Sequence, residues 1–379
     1  MKKKIIHFHP NSVYSEYFVR PLIESEEKLG YEVTLVNSSN SKSAQIKSNI
    51  SRKYIQFDLN LKNLLLLPLS FVRTLLLIKK IKPTYIVSHN IRSSLLPLIA
   101  GKFYGETKLI YFNHGVSYLG HKGLIRYILK LIEYLNCNIA DQIIAVSEHA
   151  KQELFKLTKT NISVIENGSA CGIDLKIFSK KNNLLDKKIK KLKHNNDFVI
   201  TFIGRPEKRK GFIFVLELWE KFFINEKNIK LILCGTDIDI NKYLKTPATN
   251  IINMGNTNKI PEILSLTGCL LLPSLHEGLP YSILEAMAME CPVIANNIPS
   301  IASQIINKKN GYLIDGHNHE AYFKQINFIK NKSNAKSIKQ ITDNGLKKVK
   351  EFDRLKFLIS YNKKIKSIVN DNKIIPSIT

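Results

Sequence analysis

The sequence predicts an α/β protein made of two Rossmann-like domains. Short β-rich runs alternate with helical stretches, and the alternation breaks once, near Ile177, before it restarts. A chain of 379 residues also favours two domains over one. Strand–helix alternation of this kind implies parallel sheets with helices on both faces.

In order, "KIIHFH" reads as the first strand and "RPLIESEEKLG" as a helix ending at Gly30. "YEVTLV", a helix through Leu61–Lys80, "TYIVSH", a helix over Leu95–Phe103, "KLIYFNH", a helix from Gly123 to Cys137 and "QIIAVS" follow. "SKKNNLLDKKIKKLKHNNDF" is rich in lysine and asparagine and lacks an apolar face, so it reads as a connection. The pattern resumes with "FVITFIG", a helix over Phe212–Phe223, "IKLILCG", "NIINMG", a helix over Ile260–Leu266, "CLLLPS", a helix over Ser282–Met289 and "PVIAN". The C-terminal end reads as helical, basic and amphipathic. The expected division is residues 1–178, a linker at 179–196, residues 197–355, and a helical segment at 356–379 that packs back toward the first domain. Ligands bind outside the carboxyl ends of such strands, which places the expected site in the cleft between the domains.

The apolar fraction of 44% is ample for globular cores, and the net charge of +26 points to an anionic partner. The excess is lysine spread along the chain, which also suits a solvated surface. Five cysteines (Cys137, Cys171, Cys234, Cys269, Cys291) stand without any C-x-x-C. That pattern suits a reducing compartment and argues against a disulfide framework or a zinc knuckle. The N-terminus is basic but has no long apolar core, unlike a signal peptide. Pro68 and Arg73 interrupt Leu61–Lys80, so it reads as a domain helix, with a membrane-facing helix as the second choice. A cytoplasmic location is expected.

The chemistry concentrates in "PSLHEGLPYSILEAMAMECPVIA", Pro273 to Ala295. Pro280 suits the first turn of a helix, and Gly278 permits close backbone approach. The expected helix begins near Leu279 and offers its free N–H groups to a phosphate. Glu277 precedes that helix mouth, and Glu285 lies about one and a half turns in. A carboxylate beside a phosphate makes sense when it accepts from hydroxyls: Glu285 from a ribose diol, Glu277 from a sugar beyond the phosphates. Taken alone, the pair fits a capping Glu277 and an exposed Glu285 as well. In "FVITFIGRPEKRKGF", Arg205 follows the strand ending at Gly204, and Lys210 precedes the next helix. Two cations at a strand's carboxyl end fit a diphosphate.

"FIGRPEKRKG", "PSLHEGLPYSILEAMAMECPVIA", "ADQIIAVSEHAKQEL", "YFNHG" and "NGSACGIDLKIF" resemble, in order and spacing, the retaining family-4 glycosyltransferases of GT-B fold. The resemblance spans roughly Lys4 to Phe357. It implies that Arg205 and Lys210 bind the donor diphosphate, that Glu277 contacts the donor sugar, that Glu285 contacts the ribose, and that His114 lies near the sugar. Gly204, Gly278 and Leu279 complete the implied donor site. A family glycine-rich loop is missing: "HFHPNSVYSEYFVRP" stands in its place, as in the branch that assembles bacterial surface glycans, where a pair like Arg20-Pro21 opens the first helix. The implied reaction is retaining transfer from a nucleotide sugar, UDP being the favoured nucleotide, to a saccharide acceptor, favoured as lipid-linked, without a cofactor or required metal.

Other features stay in view. Asp237 and Asp239 form an Asp-x-Asp in an expected turn. His7 and His9 share one face of a strand without a third metal ligand nearby in sequence. "HKGLIRYILKLIEYLNC" puts Leu124, Ile128, Leu131 and Leu135 on one helical face beside Lys122, Arg126 and Lys130, suiting either core packing or an anionic membrane surface. A nucleotide-sugar epimerase on the same fold is the alternative enzyme. A nucleic-acid-binding protein is disfavoured, because the lysines are not interleaved with aromatics.

Overall fold

The computed structural model describes residues 3–39, 51–59, 65–181, 187–194 and 196–370. The chain divides into two compact units, residues 1–172 with 354–379, and residues 173–353. The strands are β1 Lys4–Asn11, β2 Glu32–Ser39, β3 Ser51–Tyr54, β4 Tyr85–His89, β5 Lys108–Asn113, β6 Gln142–Ala145, β7 Ile162–Val164, β8 Phe198–Ile203, β9 Ile229–Cys234, β10 Ile251–Asn253, β11 Cys269–Leu272, β12 Val293–Asn296 and β13 Tyr312–Ile314. The helices are α1 Ser12–Phe18, α2 Arg20–Lys28, α3 Leu67–Ile81, α4 Ile91–Tyr104, α5 Gly123–Ile139, α6 Glu148–Phe155, α7 Lys187–Lys190, α8 Phe212–Phe222, α9 Ile260–Leu266, α10 Tyr281–Ala288, α11 Pro299–Ala302, α12 His319–Lys330, α13 Ala335–Val349 and α14 Arg354–Asn370.

The first unit holds a parallel sheet of order β3-β2-β1-β4-β5-β6-β7. Its central strands are buried on both faces, which is why β4 and β5 read as nearly unbroken apolar runs. Strand order reverses between β1 and β4, so the crevice for a ligand opens beyond their carboxyl ends. The second unit repeats the plan with order β10-β9-β8-β11-β12-β13, and its order reverses between β8 and β11. Trp219 and the phenylalanines of α8 fill the core on one face of that sheet.

Several boundaries differ from the expectation. The stretch expected as a free connection is partly a packed element: α7 buries Ile189 against Val199, Ile232 and Ile263 of the second unit. The units divide at residue 172 rather than 178, and α14 starts at Arg354 rather than 356; it belongs to the first unit, toward which the segment is expected to pack, and Tyr361 and Asn362 bond there to Glu26 and Ser25 of α2. The described helix in the leucine-rich stretch is α3; residues 61–64 of the expected helix lie outside the described residues, as do 371–379 of the C-terminal segment. Helix α4 starts four residues before the predicted Leu95 and runs through Pro97.

Candidate functional site

In the second unit, Arg205 leaves the sheet just past the carboxyl end of β8. Gly204 N–H still donates to Cys234 O, at 2.9 Å. A single 3₁₀ turn over Lys208–Lys210 then leads to Gly211, whose φ of 74° lies in the left-handed region. A Cβ at Gly211 would meet Pro273 O at 2.4 Å and Pro273 Cγ at 2.7 Å. Only glycine therefore lets this turn lie against the loop leaving β11. Arg209 O accepts from Leu275 N–H (2.7 Å), and His317 Nε2 donates to Pro273 O (2.7 Å), so the loop is held from both sides.

That close approach brings Lys210 to Glu277. The Lys210 ammonium donates to Glu277 Oε1 at 2.7 Å and to Oε2 at 2.8 Å, and Glu277 is only 7% exposed. Arg205 is different: its side chain is half exposed and pairs with Glu207 at 2.8 Å, and Glu207 also holds Arg209. The two cations expected to act alike thus start from unlike environments.

Helix α10 begins at Tyr281, with Pro280 as its extended N-cap residue (φ −71°, ψ 113°). The expectation that Pro280 lies inside the first turn, with the helix starting near Leu279, is corrected: ψ at Pro280 is that of a strand, so helical geometry begins one residue later. Gly278 and Leu279 form the entry loop, Leu279 with its side chain buried. Glu285 lies half-buried on α10. It adds to burial in pushing the Cys234 thiol, at the end of β9, up to about 12, which places Glu285 toward the carboxyl ends of β8 and β9. Arg205, Lys210, Glu277 and Glu285 therefore lie around one switch point.

Asp237 accepts from Asn256 Nδ2 (3.0 Å), and Asp239 caps the short turn after it by accepting from Asn241 N–H (3.1 Å). Among the described residues, no group of three His, Cys, Asp or Glu side chains could hold a metal ion.

In the first unit the polar residues also gather at the switch point. His9 lies two residues before the end of β1, His89 ends β4, and His114 follows β5. Sequence reading singled out His7 and His9 as a pair and His114 apart from them; the sheet order brings them together and adds His89, which it missed. His7 Nδ1 lies 3.0 Å from His89 Nε2, and His89 Nδ1 lies 2.9 Å from His114 Nε2. His9 Nδ1–H donates to Asn11 O at 2.9 Å. Burial and the neighbouring His9 lower the His114 pKa to about 3; burial chiefly lowers that of His9 to about 4. The loop bearing His114 is braced from α5: Asn113 Nδ2 and Tyr111 OH donate to the buried Glu133 Oε1 (2.9 and 2.6 Å), while Asn113 Oδ1 accepts from Gly115 N–H (2.8 Å).

Two Rossmann-like sheets, each with its polar cluster at a switch point, are the α/β architecture of the GT-B fold. Residues 15–170 match the family described as Glycosyltransferase Family 4, and residues 185–348 match Glycosyl transferases group 1. The chain belongs to this glycosyltransferase family. It is 27% identical over 345 residues to the capsular polysaccharide biosynthesis glycosyltransferase CapM of Staphylococcus aureus, covering 87% of this chain and 88% of that protein. It is also 27% identical over 305 residues to an Escherichia coli UDP-Gal:α-D-GlcNAc-diphosphoundecaprenol α-1,3-galactosyltransferase, covering 74% and 76%. Anabaena HepE, solved in complex with UDP-glucose, shares the fold with a TM-score of 0.76 at 15% identity, over 96% of this chain and 99% of that one.

Proposed function

We infer that the enzyme transfers a sugar from a UDP-linked donor, with retained anomeric configuration, onto a lipid-linked saccharide during assembly of a bacterial surface polysaccharide. The observation that carries the donor assignment is the Lys210–Glu277 pair beside Arg205 and the N-terminus of α10. A cation and helix N–H groups at one switch point suit a diphosphate, and carboxylates there suit sugar and ribose hydroxyls. The name of the E. coli relative supports UDP and a diphospholipid acceptor; the S. aureus relative supports polysaccharide assembly.

In this reading the acceptor hydroxyl attacks the anomeric carbon on the face that the diphosphate leaves. The new C–O bond forms as the anomeric carbon–phosphate oxygen bond breaks, and the hydroxyl proton passes to the departing phosphate oxygen. Arg205, Lys210 and the α10 N-terminus stabilise the growing negative charge as preorganised electrostatics. Glu277 orients the sugar and Glu285 the ribose. No metal is needed, because the cations are side chains. His114 supplies a further hydrogen bond to a substrate hydroxyl.

The membrane is the proposed place of work, through the first unit. Helix α5 turns Glu133 and Asn136 inward and leaves Leu124, Ile128 and Leu131 exposed, with Lys122, Arg126 and Lys130 exposed around them. Helix α3 does the same, with Ser70 and Thr74 inside and Leu69, Val72 and Leu76 outside. Leu135, grouped with the outer face in sequence, is half-buried. An apolar stripe rimmed by cations fits an anionic lipid interface. Among the described residues, no helix is long and apolar enough to cross a membrane.

A thermal-shift panel of UDP-, GDP- and ADP-sugars tests the donor. Stabilisation by the UDP series alone, lost in Glu285→Ala, supports the reading; equal binding of UDP to wild type and Glu285→Ala contradicts the ribose assignment.

A further inference from the structure

The clustered histidines of the first unit are not equivalent: three of them, His7, His89 and His114, form a chain with one end tied to a buried carboxylate. His7 Nε2 lies 2.8 Å from Glu26 Oε2, and Tyr361 OH donates to Glu26 Oε1 at 2.8 Å. His7, His89 and Tyr361 are fully buried, Glu26 nearly so. From Tyr361 on α14 the bonds run through Glu26 on α2, His7 on β1 and His89 on β4 to His114 after β5, crossing four elements.

We propose that Tyr361, Glu26, His7 and His89 are positioning residues that fix the tautomer of His114, so that it offers an unprotonated Nδ1 as acceptor to a substrate hydroxyl.

An ionised carboxylate only accepts hydrogen bonds. An ionised Glu26 therefore requires a proton on His7 Nε2, and His7 in its neutral form then keeps Nδ1 as an acceptor. His89 must then donate from Nε2, which leaves its Nδ1 to accept from His114 Nε2–H. The neutral His114 is left with a lone pair on Nδ1, the atom that its neighbours do not engage among the described residues. Each neutral imidazole has one donor and one acceptor, so fixing the first ring fixes all three. Burial favours the neutral rings: it lowers the pKa of His89 well below the usual histidine range and that of His114 to about 3. Burial also holds the Tyr361 phenol well above its usual range, so it stays a donor. Tyr85 and Tyr31, which also face Glu26, are likewise held protonated, chiefly by burial, and burial with the neighbouring Glu24 and Glu26 raises the pKa of Glu27.

Glu26→Gln is therefore an inversion rather than a simple loss. The buried Tyr361 hydroxyl must still donate, so it takes the new amide oxygen, and the amide N–H₂ is left facing His7 Nε2. That nitrogen must now accept, every ring reverses, and His114 presents Nδ1–H.

The proposal rests on the reading that His114 meets a substrate hydroxyl, and the test separates the two. Full-length ¹⁵N-labelled enzyme is examined by long-range imidazole correlation spectra, with His114→Asn used to assign the ring. In wild type, His114 Nδ1 should resonate as an unprotonated nitrogen and Nε2 as a protonated one. In Glu26→Gln the two should exchange, and adding Tyr361→Phe, which frees the amide to turn, should restore the first pattern. Transfer should fall at least about tenfold in Glu26→Gln, the scale of one lost hydrogen bond, and recover in the double variant. A protonated Nδ1 in wild type overturns the proposal even if no variant folds. An unchanged tautomer in a folded Glu26→Gln overturns it too. An inverted tautomer with unchanged transfer overturns the role of His114 in the reaction instead.

Discussion

Replacing Lys210 with alanine should damage stability as well as catalysis. The Glu277 carboxylate is 7% exposed, and both of its oxygens lie within 2.8 Å of the Lys210 ammonium, itself only 18% exposed. Removing the lysine leaves a buried charge with its closest cation gone, which costs about 3–5 kcal/mol. For a unit of this size each kcal/mol lowers Tm by roughly 2–4 °C, so a fall of about 6–20 °C is expected. Glu277→Ala should cost less, because a long lysine side chain can swing its head into water. The Lys210→Ala, Glu277→Ala double variant should be more stable than Lys210→Ala alone, because the stranded carboxylate is gone. Thermal and urea unfolding of the four proteins measure this. A Lys210→Ala protein within about 0.5 kcal/mol of wild type, the range of ordinary surface substitutions, would refute the reasoning.

Arg205→Ala should leave Tm nearly unchanged, because its exposed pair with Glu207 is worth under about 1 kcal/mol. Its turnover should fall about a hundred- to a thousandfold, with Arg205→Lys rescuing only in part; steady-state kinetics decide this, and an unchanged turnover number would remove Arg205 from the mechanism. Burial raises the Glu133 pKa to about 7, while its Tyr111 and Asn113 bonds oppose the shift. Its proton is thus kept longer in the folded state, so its contribution to stability falls as pH rises from about 4.5 to 7, by roughly 3 kcal/mol. His9 has the opposite sign, costing stability as pH falls from about 6.5 to 4. Subtracting the wild-type pH profile from that of Glu133→Gln isolates the Glu133 term, and a flat difference would contradict it. Ile128→Glu with Leu131→Glu should abolish flotation with phosphatidylglycerol liposomes while leaving the fold intact, and undiminished flotation would place the membrane contact elsewhere.

Much of the fold was legible because buried parallel strands write themselves as apolar runs: "CLLL", "IKLILC" and "FVITFI" are all strands, within a residue or two of their predicted ends. The missed strands are short and lie at sheet edges, or nearly so. β3 reads "SRKY" and is mostly exposed, so it carries no alternation to detect. The candidate site was legible in part. Arg205, Lys210, Glu277 and Glu285 stand out by position next to strand ends and a helix start. The pairing of Lys210 with Glu277 was not, because it depends on Gly211 packing against Pro273 from another loop. The histidine chain was hidden for the same reason: Glu26, His7, His89 and His114 are far apart in sequence and meet only because β1, β4 and β5 are neighbours in the sheet. The outward-facing leucines of α5 were legible as a stripe, but its direction was set by the buried Glu133 and Asn136.

The most direct test of the central claim is transfer itself. The enzyme is incubated in excess EDTA with a UDP-sugar and a short-chain lipid-diphosphate saccharide, and the product is analysed by mass spectrometry and by NMR of the new anomeric centre. A glycosylated acceptor with the donor's anomeric configuration should form at an undiminished rate, and none should form with Arg205→Ala and Lys210→Ala combined. An inverted linkage, or activity that returns only on adding manganese or magnesium, would contradict it.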